Sequence, residues 1–418
     1  MPRHRLRLRL GSIVTRTAST PSQNKGATDK LLTRAFVRLA LVDLAYFTSA
    51  GVAIYTLPLY ITGPLGSNKA AAGLAFGAFA VSALLLRPFA GRLSDTRGRR
   101  PLLIGGAALC AVATLATAFV DSVALVVALR LVLGVAEAAF FVASFAALAD
   151  LAPPSRMGEA LSYNSLGLYL GLALGPPLGE VLLNTMGYVA AWSGGAALAL
   201  IAMAGSIGMA ETRSPRASVD GPARLIHWKS VPPAIGFFTS LAAIGGFLTF
   251  ASLHAGAVGL ARTSIPLLVY GTVVVIGRIA FAKIPDRLPS LQLGAAALAT
   301  IAIGLTVSAV WRSPIGIILG TALLAVGVTF STPAFFAAAF ATAGPSERGP
   351  ASGTVSAFLD LGLGGGPILL GLVAQSSGIP WAFGAAAGLA LAGCFWTLAL
   401  HHLVRRRSAT SAPSRSTK

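Results

Sequence analysis

Charged residues are scarce in this sequence: only 11% of its 418 residues are Asp, Glu, Lys or Arg, whereas 55% are hydrophobic. A soluble protein of ordinary composition has about 25% charged residues. The mean hydropathy of +0.77 implies more apolar sequence than a soluble fold of this length could bury. This composition excludes a soluble globular protein, and we expect a polytopic membrane protein.

Cysteine and histidine are also rare, and several chemical motifs are missing. The two cysteines, Cys110 and Cys394, lie in apolar runs, which predicts free buried thiols instead of a disulfide framework. The five histidines lack metal-ligand spacing, so we expect neither a metal site nor another cofactor. No GxxxxGK[ST] loop is present, which excludes an ATP motor on this chain, and no catalytic signature supports a membrane enzyme.

Apolar runs long enough to cross a bilayer recur along the chain. One helical crossing needs about 20 predominantly apolar residues, and by this rule the sequence predicts an all-α protein with twelve transmembrane helices. The predicted spans are 35–61, 70–90, 102–120, 123–148, 160–183, 187–209, 231–253, 263–283, 291–310, 314–341, 350–376 and 380–403. The polar segment 210–230 is the exception to otherwise short loops. We interpret it as a cytoplasmic linker between six-helix bundles at 35–209 and 231–403.

The placement of Lys and Arg predicts the orientation of these helices. With the N-terminus inside, only Lys69, Arg262 and Arg312 fall in outer loops and Arg130 falls within a span. The other 28 of the 32 basic residues lie in cytoplasmic segments or at cytoplasmic helix ends. This asymmetry predicts a cell-membrane protein with both termini in the cytoplasm. It also explains the net charge of +19 without a nucleic-acid partner.

Both ends of the chain are basic and are predicted to be cytoplasmic tails, at 1–34 and 404–418. The first 30 residues favour a disordered tail, with a targeting peptide or an anionic-lipid patch as alternatives. They contain no apolar core followed by a cleavage site, which argues against a secretory signal.

The two halves of the sequence align with each other at an offset of 191 residues. "YFTS" at 46–49 aligns with "FFTS" at 237–240, and Arg87 aligns with Arg278. Other aligned pairs are Asp95/Asp286, Ser155/Ser346, Gly158/Gly349, Ala160/Ala351, Gly171/Gly362, Gly175/Gly366 and Pro176/Pro367. The fourth and tenth spans match poorly. An even number of spans per repeat predicts two bundles in the same membrane orientation, with a pocket between them that opens to alternate sides.

Three motifs resemble those of the major facilitator superfamily. "GRLSDTRGRR" is similar to the family's loop signature, although Thr96 stands where the family has a basic residue. The matching residues are Gly91, Asp95, Gly98, Arg99 and Arg100. "RLVLG" at 130–134 resembles the fourth-helix motif, and "GLALGPPLG" at 171–179 resembles a fifth-helix motif of proton-exchanging exporters. The resemblance covers nearly the whole chain and implies a twelve-span transporter similar to drug/proton antiporters.

The loop signature predicts a latch on the cytoplasmic side. Gly91 and Gly98 would permit a tight turn, and Asp95 would lie at the N-terminus of the eleventh span near 349–352, where the helix dipole favours an anion. Arg99 would reach Asp150 at the end of the fourth span. Such contacts would form in one state of the transporter and break in the other. The alternative is that these arginines only enforce topology.

The second copy of the signature, "GRIAFAKIPDRL", keeps Arg278, Asp286 and Arg287 but lacks both glycines. We therefore expect it to form a weaker latch.

The fifth-span motif places small residues on one stripe of a helix. Gly171, Gly175 and Gly179 recur every fourth residue, which allows close helix packing in lipid, and Pro176 removes a helical hydrogen bond. We predict a tight, kinked pivot at the centre of the protein. Simple close packing and dimerisation are the alternatives, and the partial copy in the eleventh span favours internal packing.

Four ionisable residues lie deep in predicted spans: Asp43, Arg130, Glu137 and Asp360. A charge at the bilayer centre costs roughly 2.5–3.5 kcal/mol, so each should face a cavity or a partner. The resemblance implies that Asp43 and Arg130 share proton coupling and substrate sensing. We expect Asp43 or Glu137 to carry the proton, Asp360 to contact substrate and Tyr46 to line the site. A fixed structural ion pair remains the alternative for each of the two acids.

These features together predict a monomeric secondary transporter that exports a small amphipathic molecule in exchange for protons. An importer, symporter or uniporter of the same fold remains an alternative, as does a transporter of lipids or metabolites. A sensor or scaffold that does not transport is disfavoured, because no added soluble domain or degraded loop signature is seen.

Overall fold

The protein is described by a computed structural model at residues 31–153, 156–212, 226–344 and 347–410. The predicted tails and the linker therefore lie largely outside the described residues. The described residues form α1 Arg34–Thr62, α2 Lys69–Arg97, α3 Arg99–Thr117, α4 Val123–Leu151, α5 Met157–Ile207, α6 Val231–Ala257, α7 Ile265–Ala280, α8 Ile284–Arg287, α9 Ser290–Val310, α10 Pro314–Phe340, α11 Arg348–Ser377 and α12 Ile379–Thr410.

Ten of the described helices are long and apolar enough to cross a membrane. One of them, α5, has 51 residues and would be about 75 Å long if straight, more than twice the thickness of a bilayer core. It is broken at Gly187, whose φ of 82° lies outside the helical region, so it crosses twice. The shorter apolar helix α7 completes the twelve predicted crossings. This break coincides with the predicted boundary between the fifth and sixth spans, at 183–187, where a kink within α5 takes the place of a loop.

Polar residues at the ends of the apolar runs define where helices start. The side chains of Asn68, Ser122 and Ser313 each accept a hydrogen bond from the backbone N–H three residues later, which caps α2, α4 and α10. Gly98 separates α2 from α3 with a φ of 103°, a conformation that glycine adopts at little cost. The sequence therefore alternates apolar helices with short polar turns.

The helices pack mainly within two groups, the first half (α1–α5) and the second half (α6–α12). In the first half α1 packs on α5, and α4 packs on α2 and α3; in the second, α9 packs on α10 and α12, and α6 on α11 and α12. The halves meet chiefly where α2 contacts α11 and where α5 contacts α7. These two contacts are equivalent under the repeat. We call the face where α1 begins and α12 ends the terminal face, and the opposite one the far face.

Candidate functional site

Asp43 is a fully buried carboxyl group on α1, with 0% of its surface exposed. The Ser144 hydroxyl on α4 lies 2.8 Å and 2.7 Å from its two oxygens, and the side chain of Asn164 on α5 also hydrogen-bonds to it. Its described partners are neutral hydrogen-bonding groups. A buried charge without a cation nearby is costly, so this position is suited to a group that exists in a protonated form.

Arg130 is held by α2 instead of by Asp43. Its guanidinium donates to the carbonyls of Ala75 at 3.1 Å and Phe76 at 3.2 Å, and it lies 5.0 Å from the ring centre of Phe79. These contacts link α4 to α2. The expected interaction of Arg130 with Asp43 is therefore not a direct hydrogen bond or ion pair in this structure.

Glu137 connects the acids of the first half to the interface between the halves. Its electrostatic neighbours include Arg87, Asp360 and Arg130, and its carboxyl lies next to the Tyr46 hydroxyl. Glu137 also acts electrostatically on Asp43. The ring of Tyr46 stacks on Phe140 with centres 3.8 Å apart and is 2% exposed. Tyr46 is thus a packed residue whose polar end faces the acid.

Asp360 on α11 forms an ion pair with Arg87 on α2, across the two halves. The guanidinium donates from Nε to Oδ2 at 2.5 Å and from Nη2 to Oδ1 at 2.8 Å, a bidentate geometry that makes charged hydrogen bonds strong. The ring of Phe141 covers the guanidinium at 4.7 Å. Sequence reasoning expected Asp360 to contact substrate and gave Arg87 no partner. In the structure the two residues form a joint between the halves, and the contact of Asp360 with substrate stays a prediction.

The loop signature makes contacts within the first half. Arg99 donates to Asp150 at 3.2 Å, the contact that the sequence predicts, and to Asp95 at 2.8 Å. The expectation that Asp95 lies at the start of α11 is wrong for this conformation, because 73% of its side chain is exposed and it pairs with Arg99 four residues on. Among the described residues, no heavy atom lies within 4 Å of a Cβ placed on Gly349.

Glu211, which sequence reasoning did not single out, fastens this loop. Its carboxylate accepts the backbone N–H groups of Arg99 at 2.8 Å and Arg100 at 3.1 Å, at the N-terminus of α3, where a helix favours an anion. The Arg100 side chain donates to the carbonyl of Ile207 at 2.6 Å. The tight turn is at Gly98, while Gly91 is an ordinary position inside α2.

The second copy of the loop signature surrounds the short helix α8. Arg287 is exposed there, and the side chain of Asp286 is outside the described part of the structure. The weaker latch expected at this loop therefore stays a prediction.

The glycine stripe of α5 packs against α1. A Cβ on Gly171 would lie 2.7 Å from the carbonyl carbon of Phe47, and one on Gly175 would lie 2.5 Å from the Thr48 carbonyl oxygen. Gly179 is less crowded, with its nearest neighbours at 3.4 Å. Pro176 lies beside these glycines in the same helix. The close approach is internal to the first half.

Glu180, directly after this stripe, is a further site that sequence reasoning missed. It is 5% exposed and crosses from α5 to the start of α7. The backbone N–H of Thr263 and the hydroxyl of Ser264 donate to its two oxygens, each at 2.6 Å. The Tyr55 hydroxyl lies 3.3 Å away and 2.7 Å from the Thr263 hydroxyl. This cluster, the Glu180 cluster, joins the two halves at the far face.

Comparisons with known proteins show what this chain resembles. The family model described as Major Facilitator Superfamily matches residues 39–349. An uncharacterized MFS-type transporter of Burkholderia mallei is 29% identical over 397 residues, covering 90% of this chain and 95% of its own.

Solved transporters share the fold at low sequence identity. The human organic anion transporter MFSD10 has a TM-score of 0.67 and 19% identity, and a mutant of the nucleoside transporter NupG has a TM-score of 0.71 and 14% identity. Each match covers 87% of this chain and 99% of the other. At these identities the likeness concerns the fold alone.

Proposed function

The chain belongs to the major facilitator superfamily of membrane transporters, and from this premise we propose that it exports a small amphipathic molecule in exchange for protons. The transporter carries its substrate across the membrane without enzymatic chemistry. The observation that carries the proposal of proton exchange is Asp43, a wholly buried carboxyl whose described partners are Ser144 and Asn164. Such a group binds a proton while buried and releases it when water and a cation reach it.

In the proposed coupling, Glu137 and Asp360 compete for Arg87. When Glu137 carries a proton, Arg87 pairs with Asp360 alone and holds α2 to α11. When Glu137 loses that proton, its negative charge attracts the same guanidinium and weakens the joint. Protonation in the first half thus biases the contact between the halves, which is the requirement for coupling a proton to a conformational change.

We also propose that the protein acts as a monomer in the inner membrane, with its terminal face toward the cytoplasm. The distribution of Lys and Arg supports this orientation. The contact of the glycine stripe with Phe47 and Thr48 supports the monomer, because this stripe is used inside the first half.

Transport by Asp43→Asn tests the proposal. In everted vesicles with an acidic lumen, acridine orange reports protons that leave as a compound enters. Wild-type vesicles should show fluorescence recovery with some members of a panel of amphipathic compounds. Asp43→Asn should abolish the recovery, because an amide cannot carry the proton, and Glu137→Gln should weaken it.

Asp121→Asn is the matched control, since Asp121 is an exposed acid in the turn before α4. It should transport like the wild type. Full proton-coupled transport by both Asp43→Asn and Glu137→Gln would refute the proposal. Uptake of a compound by wild-type vesicles without any movement of protons would indicate a uniporter instead.

A further inference from the structure

Two arginine contacts related by the sequence repeat join the halves. Arg87 on α2 contacts Asp360 on α11, and Arg278 on α7 contacts Tyr169 on α5, with its guanidinium 4.6 Å from the ring centre. Arg278 lies 191 positions after Arg87, and Tyr169 lies 191 positions before Asp360. The structure therefore places two equivalent guanidinium groups at equivalent points of the interface between the halves.

The two points differ in charge. Arg87 makes a bidentate ion pair with Asp360, whereas the residue equivalent to Asp360 is the neutral Tyr169. The Tyr169 hydroxyl accepts only a long hydrogen bond of 3.4 Å from Arg278 Nη2. The Nε of Arg278 is buried and has no hydrogen-bond partner within the described part of the chain. None of the ion pairs between described residues gives Arg278 a carboxylate partner.

A half-buried guanidinium whose Nε–H has no partner is chemically suited to bind an anion. Its planar fork matches a carboxylate in a bidentate geometry, and leaving a buried N–H without an acceptor is unfavourable. Tyr169 and Tyr270, whose ring centres are 6.5 Å apart, add aromatic surface beside the charge. Charge and aromatic surface together suit a molecule that has an acidic group on an apolar body.

We propose that Arg278 binds the carboxylate of the transported molecule, so that the substrate class is an amphipathic organic acid. The inference rests on the proposed function in one respect: it takes the molecule bound at Arg278 to be the molecule that is transported. Arg278 is then a specificity-determining residue. The opposing interpretation is that Arg278 only packs on Tyr169 and stays solvated at its exposed edge.

The test is binding to the purified full-length protein in an uncharged detergent, followed as the rise in melting temperature. Three probes share a naphthalene body and differ in charge: naphthoate, naphthylmethanol and naphthylmethylammonium. Naphthoate should bind wild type at least about tenfold more tightly than the alcohol, since hydrogen bonds to a charged group are worth that much. The ammonium probe should bind more weakly than the alcohol.

Variants identify the group responsible. Arg278→Gln should reduce the affinity for naphthoate to that for the alcohol, and Arg278→Lys should retain part of the difference. Tyr169→Asp restores the acid found at position 360, so it should neutralise Arg278 and suppress naphthoate binding without lowering the melting temperature. Arg312→Gln, at an exposed arginine on the far face, should bind like the wild type.

Two results would overturn the inference. In the first, the wild type binds naphthoate no more tightly than naphthylmethanol, or binds neither. In the second, Arg278→Gln binds naphthoate as tightly as the wild type does. Because this assay measures binding without a proton gradient, it is independent of the transport test. A protein that binds naphthoate but moves no protons would retain the anion site and contradict only the proposed function.

Discussion

We predict that the Glu180 cluster holds the far face of the transporter closed. Glu180 on α5 is bonded to Thr263 and Ser264 at the start of α7, so the contact exists only while the halves meet at the far face. Glu180→Ala removes the acceptor for both donors. We expect this change to shift the protein toward a conformation that is open at the far face.

The size of the shift follows from the two short hydrogen bonds. Each joins a carboxylate to a neutral donor at 2.6 Å, and a hydrogen bond to a charged group is worth about 1.5–3 kcal/mol. The lower bound for two is about 3 kcal/mol, a factor of about 150 in an equilibrium constant. A population divided roughly 99:1 in favour of the closed far face would become about 40:60.

Spin-label distances can measure this change. With the buried Cys110 and Cys394 replaced by serine, labels at the exposed positions Asp121 and Ala261 report the separation of the halves at the far face. Wild type should give one short distance, and Glu180→Ala should add a longer one as a major population.

Glu159→Gln is the control, because Glu159 pairs with Arg156, the residue just before α5, near the terminal face, and its substitution should leave the distances unchanged. An unaltered distribution in Glu180→Ala would refute the reasoning, as it would show that the cluster does not hold this face closed.

Two further predictions concern packing and the central ion pair. Gly175→Ala should lower the melting temperature in detergent, because its Cβ would lie 2.5 Å from the Thr48 carbonyl oxygen and overpacking costs about 1–3 kcal/mol. The control is Gly91→Ala, whose Cβ would have no described neighbour within 4 Å. The melting temperature of this variant should equal or exceed that of the wild type. Arg87→Gln or Asp360→Asn alone should destabilise the protein by about 3–5 kcal/mol. The double variant should lose less than the sum of the two, and additive losses in that thermodynamic cycle would contradict a direct pair.

Sequence patterns predicted the elements of the fold because each rests on a local property. Apolar length predicted twelve crossings, and the contact of Arg99 with Asp150 followed from two charges at neighbouring helix ends. The break at Gly187 falls at the predicted boundary between the fifth and sixth spans, but hydropathy alone does not show that a single positive φ makes the turn there. Glu180 was missed because it lies near the predicted end of the fifth span, at 183, where an acid is expected to meet water.

Contacts between the halves could not be predicted in the same way, because they depend on the conformation of the transporter. The partner of Arg87 required the relative positions of α2 and α11, which no sequence spacing gives. Yet the repeat contained a usable signal, since Arg87 and Arg278 align, and so do Asp360 and Tyr169. A comparison of the two aligned pairs shows a difference in charge, because the pair of Arg87 and Asp360 contains an acid whereas the pair of Arg278 and Tyr169 does not.

The positions of these contacts show at which face the two halves meet in this structure. The Glu180 cluster joins the halves at the far face, and Lys69 at the start of α2 also donates to Gln375 near the end of α11. At the terminal face the described contacts of the loop signature run from Arg99 to Asp150 in the first half and to Glu211 just after α5, and none of these reaches the second half. We therefore propose that the far-face cluster and the predicted latch of Asp95 on α11 belong to opposite conformations, with the Arg87–Asp360 pair between them. It follows that weakening one end should strengthen the other: Glu180→Ala should bring Asp95 closer to α11 as the far face opens.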